Sequence, residues 1–372
     1  MTNTKKISSI IITLAMMLST LIIPHAVSVN ATITTDNSYQ YRDVDGGIEI
    51  VGFKGSASTT SVEIPSTINN KTVVKLGYDA FRDFNKIETV SIPSSVVEIG
   101  YGVFHGCTAL KEITIPNSVT AIGDFTFSNC SSLSKITFGT GLKTIGKFAF
   151  AECNSLKSVT LPNSITFIDD SAFTQCANLE TFNMGNGVTE VGDLILFANP
   201  KLKNLTISNK LSTVAYMMCK ECPSLTTVVI PEGVKKLDFA AFKECSNLTT
   251  VELPSTLKEI DYCVFEGCKV YNIKYNGSLS DYNKITMGKE NGSFESATVN
   301  GQTNTKKVVK MVGAMKGDAD ADGKFNIKDV TYTQKYIVKI KDDIADEADF
   351  NNDGKITIVD GTEMQRSIAN IK

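Results

Sequence analysis

The sequence predicts a β-rich solenoid of 23-residue repeats with a parallel β-sheet on one face, followed by a small α-helical module of two loop–helix units. Three observations lead to this fold class. Leucines recur every 23 residues, each repeat contains a short alternation of apolar and polar residues that ends at a chain breaker, and the C-terminal part contains two matching aspartate-rich loops. A fixed period of this size is typical of a solenoid, in which each repeat buries its apolar face only against its neighbours.

The repeat is visible at several positions at once. Stepping forward by 23 residues from Leu110 gives Leu133, Leu156, Leu179, Leu202, Leu225 and Leu248. The same step from Phe104 gives Phe127, Phe150 and Phe173, and phenylalanine returns at Phe242 and Phe265. Most of the chain is therefore one repeat array.

Composition restricts the class of protein. The chain has 372 residues, 42% hydrophobic residues and a formal net charge of -3, which describes an ordinary globular protein rather than a nucleic-acid-binding one. Tryptophan is absent and only His25 and His105 could supply an imidazole, so histidine-based catalysis is not expected. We expect neither an enzyme nor a nucleic-acid partner.

Residues 1–31 have the features of a secretory signal peptide. Lys5 and Lys6 form a basic start, an apolar run covers residues 10–23, and small residues at 29–31 offer a cleavage site. The apolar run is short for a membrane span, and no later stretch is apolar enough to be one. We therefore expect a secreted, extracellular protein without a membrane span.

The rest of the chain divides into four parts. Residues 32–63 contain an alternating run around two consecutive glycines, a hairpin signal, and are expected to cap the first repeat. The repeats and a C-terminal cap occupy residues 64–300. A polar linker without periodicity covers residues 301–316, and the second module covers residues 317–372.

Within each repeat, the pattern L-x-x-I-x-I-P predicts a short strand. Ile113 and Ile115 lie at alternate positions and point inward, and Pro116 ends the ladder because it lacks a backbone donor. The second half, V-x-x-I-G-x-x-A-F-x-x-C, returns the chain, and we expect Gly123 to permit a tight turn. The apolar positions of this half should also point inward, namely Val119, Ile122 and Phe127. We expect the stacked strands to form one continuous parallel sheet.

The outward positions of these strands are the natural place for a ligand. They form a hydroxyl-rich, nearly neutral ladder without aromatic residues, and the positions chosen as a candidate repeat face are Glu112, Thr114, Lys135, Thr137, Thr160, Thr181, Asn183, Thr206 and Thr227. Protein-binding hot spots favour Trp, Tyr and Arg, and a threonine ladder is also typical of a solvated β face. Two alternatives stay open: a purely structural face, or one that binds a protein or a glycan.

Seven of the nine cysteines share one position of the repeat, namely Cys107, Cys130, Cys153, Cys176, Cys222, Cys245 and Cys268. Stacked strands lie about 4.8 Å apart, within the roughly 4.4–6.8 Å Cα separation of a disulfide. Distance therefore does not exclude bridging, although we expect these cysteines to be small buried hydrophobic residues.

One section departs from the pattern. Between Gly192 and Cys222 the phenylalanine position holds Leu196 and then Cys219, and the cysteine position holds Asn199. We interpret this section as a locally loosened repeat.

These repeats resemble the BspA-like bacterial leucine-rich repeats, a family of secreted or surface proteins. The resemblance covers roughly residues 39–301 and rests on the shared period and on the shared phenylalanine and cysteine positions. The segment from Tyr275 to Ile285 is similar to the closing cap of that family. The resemblance implies a leucine-rich-repeat solenoid that presents an interaction surface.

Two aspartate-rich loops begin at Asp318 and Asp349, and each follows the D-x-[DN]-x-[DN]-G calcium-loop pattern. Alternate loop positions direct side-chain oxygens to one centre, the glycine makes the sharp turn, and the carbonyl that follows faces the ion. The predicted ligands of two Ca²⁺ ions are Asp318, Asp320, Asp322, Lys324, Asn326, Asp329, Asp349, Asn351, Asp353, Lys355, Thr357 and Asp360.

Each loop leads into one helical segment, and both have aspartate rather than glutamate at the twelfth position. This duplicated, EF-hand-like loop–helix unit resembles type I dockerin modules. The resemblance implies a module that folds on calcium and docks onto a cohesin module of a scaffoldin in a cellulosome. Carried over by position, the cohesin-contacting residues would be Ile327, Lys328, Gln334, Lys335, Ile358, Val359, Gln365 and Arg366. Many dockerins have Ser-Thr at the first pair of positions in each copy, so the cohesin specificity stays open.

The sequence thus favours a non-catalytic, secreted component of a cohesin–dockerin assembly associated with polysaccharide degradation. Two alternatives remain: a dockerin-bearing polysaccharide hydrolase, and a carbohydrate-binding repeat module. A hydrolase needs paired carboxylates about 5–10 Å apart in a cleft, whereas acidic residues such as Asp169 and Asp170 fall on turns of the repeat array.

Overall fold

The structure is a computed structural model that describes residues 34–36 and 38–303. This part of the chain forms a β-solenoid of about 11 turns with about 23 residues in each. The predicted solenoid and its period are therefore confirmed. The strands at its N-terminal end are β1 (Thr34–Asp36), β2 (Tyr39–Val44), β3 (Gly47–Phe53), β4 (Ser61–Glu63), β5 (Thr67–Ile68) and β6 (Lys71–Leu76).

An antiparallel hairpin of β2 and β3 begins the solenoid. Gly46 adopts a left-handed φ of 83° in the turn, which explains the glycine pair. β3 then pairs in parallel with β6. Phe53 of the hairpin lies 5.2 Å from both Phe81 and Phe84, measured between ring centroids. The hairpin thus covers the first aromatic ring of the repeat core.

The first series of repeat strands lies where the L-x-x-I-x-I pattern predicts it. These strands pair in parallel, and the surface made by their outward side chains is called the first-sheet face below. They are β7 (Thr89–Ser91), β9 (Glu112–Thr114), β11 (Lys135–Thr137), β13 (Ser158–Thr160), β15 (Thr181–Asn183), β17 (Asn204–Thr206), β19 (Thr227–Val229), β21 (Thr250–Leu253), β23 (Asn272–Tyr275) and β25 (Thr298–Val299).

A second series of strands follows the first in alternation, at the V-x-x-I positions of the repeat. It makes a second set of parallel pairs, called the second sheet. Its members are β8 (Glu98–Ile99), β10 (Ala121–Ile122), β12 (Thr144–Ile145), β14 (Phe167–Ile168), β16 (Glu190–Val191), β18 (Thr213–Val214), β20 (Lys236–Leu237), β22 (Glu259–Ile260) and β24 (Thr286–Met287).

The prediction of one continuous parallel sheet on one face is wrong in two respects. Parallel strands lie on two faces, because the V-x-x-I half of the repeat also contains a two-residue strand, which ends at an apolar residue. The strands of the first series also divide into three separate sheets, with breaks between β11 and β13 and between β17 and β19. The second sheet is broken between β16 and β18.

The return segment after each second-sheet strand forms the third side of the solenoid. Its backbone donates hydrogen bonds to the next repeat, as from Phe104 N to Thr126 O (2.8 Å) and from Phe127 N to Ala149 O (2.8 Å). Each segment contains two left-handed residues four positions apart, such as Phe125 (φ 57°) and Asn129 (φ 59°). Such angles are unusual for bulky residues, and here the hydrogen bonds between repeats hold the backbone in them.

The word rung is used below for one turn of the solenoid. A rung consists of one first-sheet strand, the second-sheet strand that follows it and the return segment after that.

The role expected for Gly123 needs a correction. Its φ does not lie in the left-handed region, so it is not required for a tight turn. A Cβ at this position would instead lie 2.5 Å from the carbonyl carbon of Gly100 in the preceding rung. Glycine is required here because two backbones approach closely.

The core between the three sides is apolar and periodic. The inward positions expected at Val119, Ile122 and Phe127 are buried. The phenylalanines stack along the solenoid with ring-centroid distances of 5.1–5.4 Å from Phe81 to Phe173. A second stack runs from Phe242 through Phe265 to Phe294. Each ring is covered by its neighbours, which explains why no single repeat could fold alone.

The cysteine column lies beside the phenylalanine stack, and all nine cysteines of the chain are free thiols. Each thiol of the column donates to the carbonyl oxygen 26 residues earlier, as from Cys130 Sγ to Phe104 O (3.2 Å) and from Cys153 Sγ to Phe127 O (3.3 Å). The cysteines thus behave as the predicted small buried residues, with a specific hydrogen bond in addition.

The repeat interpreted as loosened has an intact core. Asn199 replaces a cysteine and makes three hydrogen bonds, donating to Phe173 O (3.0 Å) and Leu196 O (2.8 Å) and accepting from Cys176 N (2.9 Å). Leu196 and Cys219, which replace phenylalanines, are fully buried. The loosening is therefore absent from the core, but it is present in the strand ladders, which are broken here between β16 and β18 and between β17 and β19.

The C-terminal end of the described region closes the solenoid. A short helix, α1 (Leu279–Tyr282), begins at Ser278, whose hydroxyl accepts a hydrogen bond from Asp281 N (3.1 Å). A 3₁₀ helix (Gly292–Ser296) places Phe294 over Phe265 at 4.5 Å, and β26 (Gln302–Thr303) pairs antiparallel with β25. No helix among the described residues is long and apolar enough to cross a membrane.

Candidate ligand-binding surface

The first-sheet face carries columns of aligned polar side chains. Strands β13, β15 and β17 pair so that residues 23 positions apart lie side by side, and Thr181 lies between Ser158 and Asn204. Asn204 Nδ2 donates to Thr181 Oγ1 (3.3 Å). Phe182, the middle residue of β15, points inward and is buried. The alternation along each strand therefore places hydroxyl and amide groups outward.

The structure places all nine residues of the candidate repeat face on this surface. Seven are exposed: Glu112, Thr114, Lys135, Thr137, Thr160, Thr206 and Thr227. Thr181 and Asn183 are half-buried. Their role in binding stays a prediction.

Charged side chains along this face pair between neighbouring rungs, a feature that the sequence pattern did not reveal. The ion pairs are Lys111–Glu88 (2.5 Å), Lys135–Glu112 (3.6 Å), Lys203–Glu180 (3.1 Å) and Lys274–Glu252 (2.5 Å). The hydrogen bond from Lys203 lowers the pKa of Glu180. Exposed pairs of this kind add little stability. Their consequence is that the face has little net charge.

Aromatic residues form a row in the return segments rather than on the strand face. The rings of Tyr78, Tyr101, Phe125 and Phe148 follow one another at centroid distances of 4.8, 5.4 and 4.9 Å. The row is hard to see in the sequence because the tyrosines come one residue after the repeat glycine and the phenylalanines two. Tyr78 stacks on Tyr101 and Phe125 stacks on Phe148, while Tyr101 and Phe125 are tilted by 51°. The rings pack against one another and do not form one flat platform for a sugar.

Acidic residues on the return segments bind backbone amides. Asp169 Oδ1 accepts from Asp170 N (2.8 Å), and Asp170 Oδ1 accepts from Asp193 N (2.9 Å) in the next rung. Lys147 Nζ also contacts Asp170 (2.9 Å). These carboxylates hold neighbouring return segments together.

A charge network around the buried Asp261 lies on the second sheet near its C-terminal end. Lys236 Nζ lies 2.9 Å from Asp261, 3.1 Å from Glu259 and 3.3 Å from Asp238. Burial raises the pKa of Asp261 to about 6, against the opposing effect of Lys236. Burial also lowers the pKa of Lys236, but the three carboxylates outweigh it and hold that pKa above its usual value. One lysine thus compensates three carboxylates.

One cluster in the described part of the chain has the residue types of a metal site. The ligand atoms of Cys263, Glu266 and Glu290 lie within 4.8 Å of one another. However, Lys243 Nζ already lies 2.8 Å from Glu266, and Cys263 Sγ donates to Glu290 (3.3 Å). An ammonium and a thiol proton therefore already compensate the charge of this cluster.

The remaining predicted sites lie outside the described residues. They are the signal peptide, the two calcium loops with their ligands from Asp318 to Asp360, and the eight cohesin-contacting positions from Ile327 to Arg366. These stay predictions from the sequence.

Comparison with known families identifies the repeats. A model of the BspA type leucine rich repeat region matches residues 74–199 and 178–288, in six copies. The matched region is more than half of the chain, and its repeats have the period, the leucine positions and the phenylalanine stack seen in the structure. The chain belongs to the BspA-type leucine-rich repeat family.

Solved structures of leucine-rich repeat proteins are similar to this chain. A protein from Bacteroides ovatus is 24% identical, with 70% of this chain and 80% of that chain covered and a TM-score of 0.48. A leucine rich cell surface protein from Faecalibacterium prausnitzii is 22% identical, with 69% and 98% covered and a TM-score of 0.35. The pneumococcal vaccine antigen PcpA is 17% identical, with 76% and 99% covered and a TM-score of 0.29. No curated protein matches the chain.

Proposed function

We propose that this chain is a secreted, non-catalytic binding protein whose first-sheet face contacts an extracellular partner, a protein or a cell-wall component. The observation that carries the proposal is the first-sheet face itself. It aligns exposed threonines over three consecutive rungs, at Thr114, Thr137 and Thr160, and a further one follows at Thr206 after the half-buried Asn183. Within each of the three sheets of this face, core packing on the inner side holds these groups at fixed spacing, which limits the entropy lost when a partner binds.

The second part of the proposal concerns the C-terminal loops. We propose that they bind two Ca²⁺ ions and dock the chain onto a cohesin module of a scaffoldin, so that the repeats are carried to a polysaccharide-degrading assembly. The support is the sequence: the two loops repeat oxygen ligands at the spacing that a hard cation needs, with a glycine at the sixth position of each.

Matched double substitutions in the full chain test the face. Thr137→Arg with Thr160→Arg places two bulky cations on the first-sheet face, and Thr166→Arg with Thr189→Arg places the same two changes at exposed positions beside the second sheet. We expect capture of a partner from culture supernatant or plant-wall extract to be lost only with the first pair. Equal capture by both variants would show that the face is not the binding surface.

Calorimetric titration of the full chain with CaCl₂ tests the loops. We expect two ions per chain, and one ion after either Asp318→Ala or Asp349→Ala, because each removes the first ligand of one loop. Calcium binding that is unchanged by both substitutions would refute the assignment.

An assay of the purified chain on xylan, cellulose and pectin tests the proposal that the protein is non-catalytic. We expect no hydrolysis of any of the three polysaccharides.

A further inference from the structure

The solenoid is not uniformly bonded from rung to rung, and the irregularity is concentrated in one place. The rung of β17 and β18 pairs with the preceding rung through the first sheet, where β15 contacts β17, but the second sheet is broken between β16 and β18. Between this rung and the following one, the second sheet is paired and the first sheet is broken. There β18 pairs with β20, and the first series of strands is broken between β17 and β19.

The backbone hydrogen bonds of individual amides are missing at the same two breaks. Lys235 N donates to Ser212 O (2.8 Å) and Thr249 N donates to Thr226 O (3.0 Å), which is the regular bond between neighbouring rungs. At the irregular rung, the amides of Ser212 and Thr226 have no equivalent acceptor within the described region. The break between β11 and β13 differs, because there the second sheet continues from β12 to β14.

The third side of the solenoid is continuous through this rung. Leu196 N donates to Met218 O (2.9 Å), and Cys219 N donates to Ala241 O (2.8 Å). Each interface of the irregular rung is therefore held on two sides and open on the third. The open side is the second sheet at one interface and the first sheet at the other, so a small opening of each interface bends the solenoid in a different direction.

The core changes at the same place. The stacked phenylalanines end at Phe173 and resume at Phe242, with Leu196 and Cys219 between them. Two methionines, Met184 and Met218, belong to the buried core in this section. Thioether side chains adapt to changes in the shape of a core more readily than stacked rings do.

From these coincident features we propose that the rung of β17 and β18 is a flexible joint at which the solenoid changes its curvature. The joint lies in the middle of the first-sheet face, between Thr206 and Thr227. It lets the parts of that face on either side tilt toward or away from each other. The proposal does not depend on what the face binds.

Spin-label distance measurements on the full chain test the joint. Thr137→Cys with Val229→Cys places labels four rungs apart across the joint, and Glu63→Cys with Thr160→Cys places labels four rungs apart before it. All four positions are exposed, and both pairs include the break between β11 and β13. The native thiols should not take up label, because they are buried and burial raises the pKa of thiols such as Cys107 and Cys176 to about 12.

The backbone separation is roughly 19 Å in each pair. We expect the distance distribution of the spanning pair to be at least about twofold wider than that of the control pair. Hydrogen exchange gives a second readout, in which the amides of Ser212 and Thr226 should exchange at least about tenfold faster than those of Lys235 and Thr249. Equally narrow distributions, or equal protection of these amides, would overturn the proposal.

Discussion

At the scale of single residues, the repeat is maintained by side chains that satisfy the backbone of a neighbouring rung. The cysteine column donates one hydrogen bond per thiol, and Asn199 makes three in the same column. The aspartates of the return segments accept from amides, either from the next residue or from the next rung. These contacts explain why small polar residues are tolerated inside a solenoid core.

The first prediction concerns Asn199. Asn199→Ala leaves the Phe173 carbonyl and the Cys176 amide buried without their partner, whereas Leu196 O still accepts from Cys222 Sγ. We expect a loss of roughly 3–5 kcal/mol in the free energy of unfolding. Cys153→Ala loses one weak hydrogen bond and a sulfur atom, and should cost about 1–2 kcal/mol. Urea unfolding compares the two. An Asn199→Ala variant as stable as Cys153→Ala would mean that the three bonds contribute nothing.

The second prediction concerns the thiols. Burial raises the pKa of Cys130 and Cys153 well above the ordinary value for a thiol. Because the thiolate is the reactive form, the folded chain should react very slowly with a thiol reagent, and the chain unfolded in guanidinium should react at all nine cysteines. Rapid reaction of the folded chain, or fewer than nine thiols after unfolding, would contradict the free buried column.

The third prediction concerns the charge network. Since the pKa of Asp261 is raised to about 6, the stability given by its neutral form is present at low pH and lost as the pH rises through 6. The positive charge of Lys236 offsets this loss of stability, because it compensates the ionised Asp261. Lys236→Met should therefore destabilise the chain by about 3–5 kcal/mol at pH 8, and by less at pH 5, where Asp261 is protonated.

Lys235→Met is the matched control for this variant, because Lys235 is exposed on the neighbouring position. It should change stability by no more than about 0.5 kcal/mol at either pH. Thermal unfolding of both variants at the two pH values gives the comparison. A Lys236→Met penalty that is the same at pH 5 and pH 8 would refute the role assigned to Asp261.

At the scale of elements, neighbouring rungs approach one another unequally. Gly139 takes the place of the proline that ends other strands, and a Cβ there would overlap the carbonyl oxygen of Pro116. Thr140 N donates to Asn117 Oδ1 (2.9 Å) in the same contact. The rungs of β9 and β11 are thus drawn together, whereas β11 and β13 do not pair.

The fourth prediction follows from this close contact. Gly139→Ala must push the two rungs apart, and we expect a loss of about 2–3 kcal/mol. Thr140→Ala changes an exposed side chain in the same loop without touching the backbone bond, so it should be nearly neutral. Chemical denaturation measures both. Equal stability of the two variants would show that the loop relaxes freely.

Much of this architecture follows from the sequence, because period and alternation determine which side chains point inward. The positions of Ile113, Val119 and Phe127 within the repeat are enough to assign them to the core. The second sheet, the aromatic row and the paired charges could not be assigned in this way, because each depends on which residues of adjacent rungs come into contact. Asn199 is the clearest example: it contributes to the prediction of a loosened rung, whereas the structure shows three hydrogen bonds at Asn199 and places the loosening in the strand ladders instead.

At the scale of the whole molecule, the repeat array and the predicted calcium loops are expected to act separately. The repeats are held by packing and by backbone hydrogen bonds between rungs, whereas the loops depend on an added cation. The first-sheet face should therefore bind its partner with or without calcium. Docking to cohesin should require calcium and should not depend on the face.

A capture measurement with two targets tests this separation directly. The unmodified chain and the Thr137→Arg/Thr160→Arg variant are each presented, in calcium and in EDTA, to a purified cohesin and to the extracellular extract. The account predicts that EDTA abolishes only cohesin capture and that the substitutions abolish only capture from the extract. Cohesin capture that survives EDTA, or capture from the extract that survives the substitutions, would contradict it.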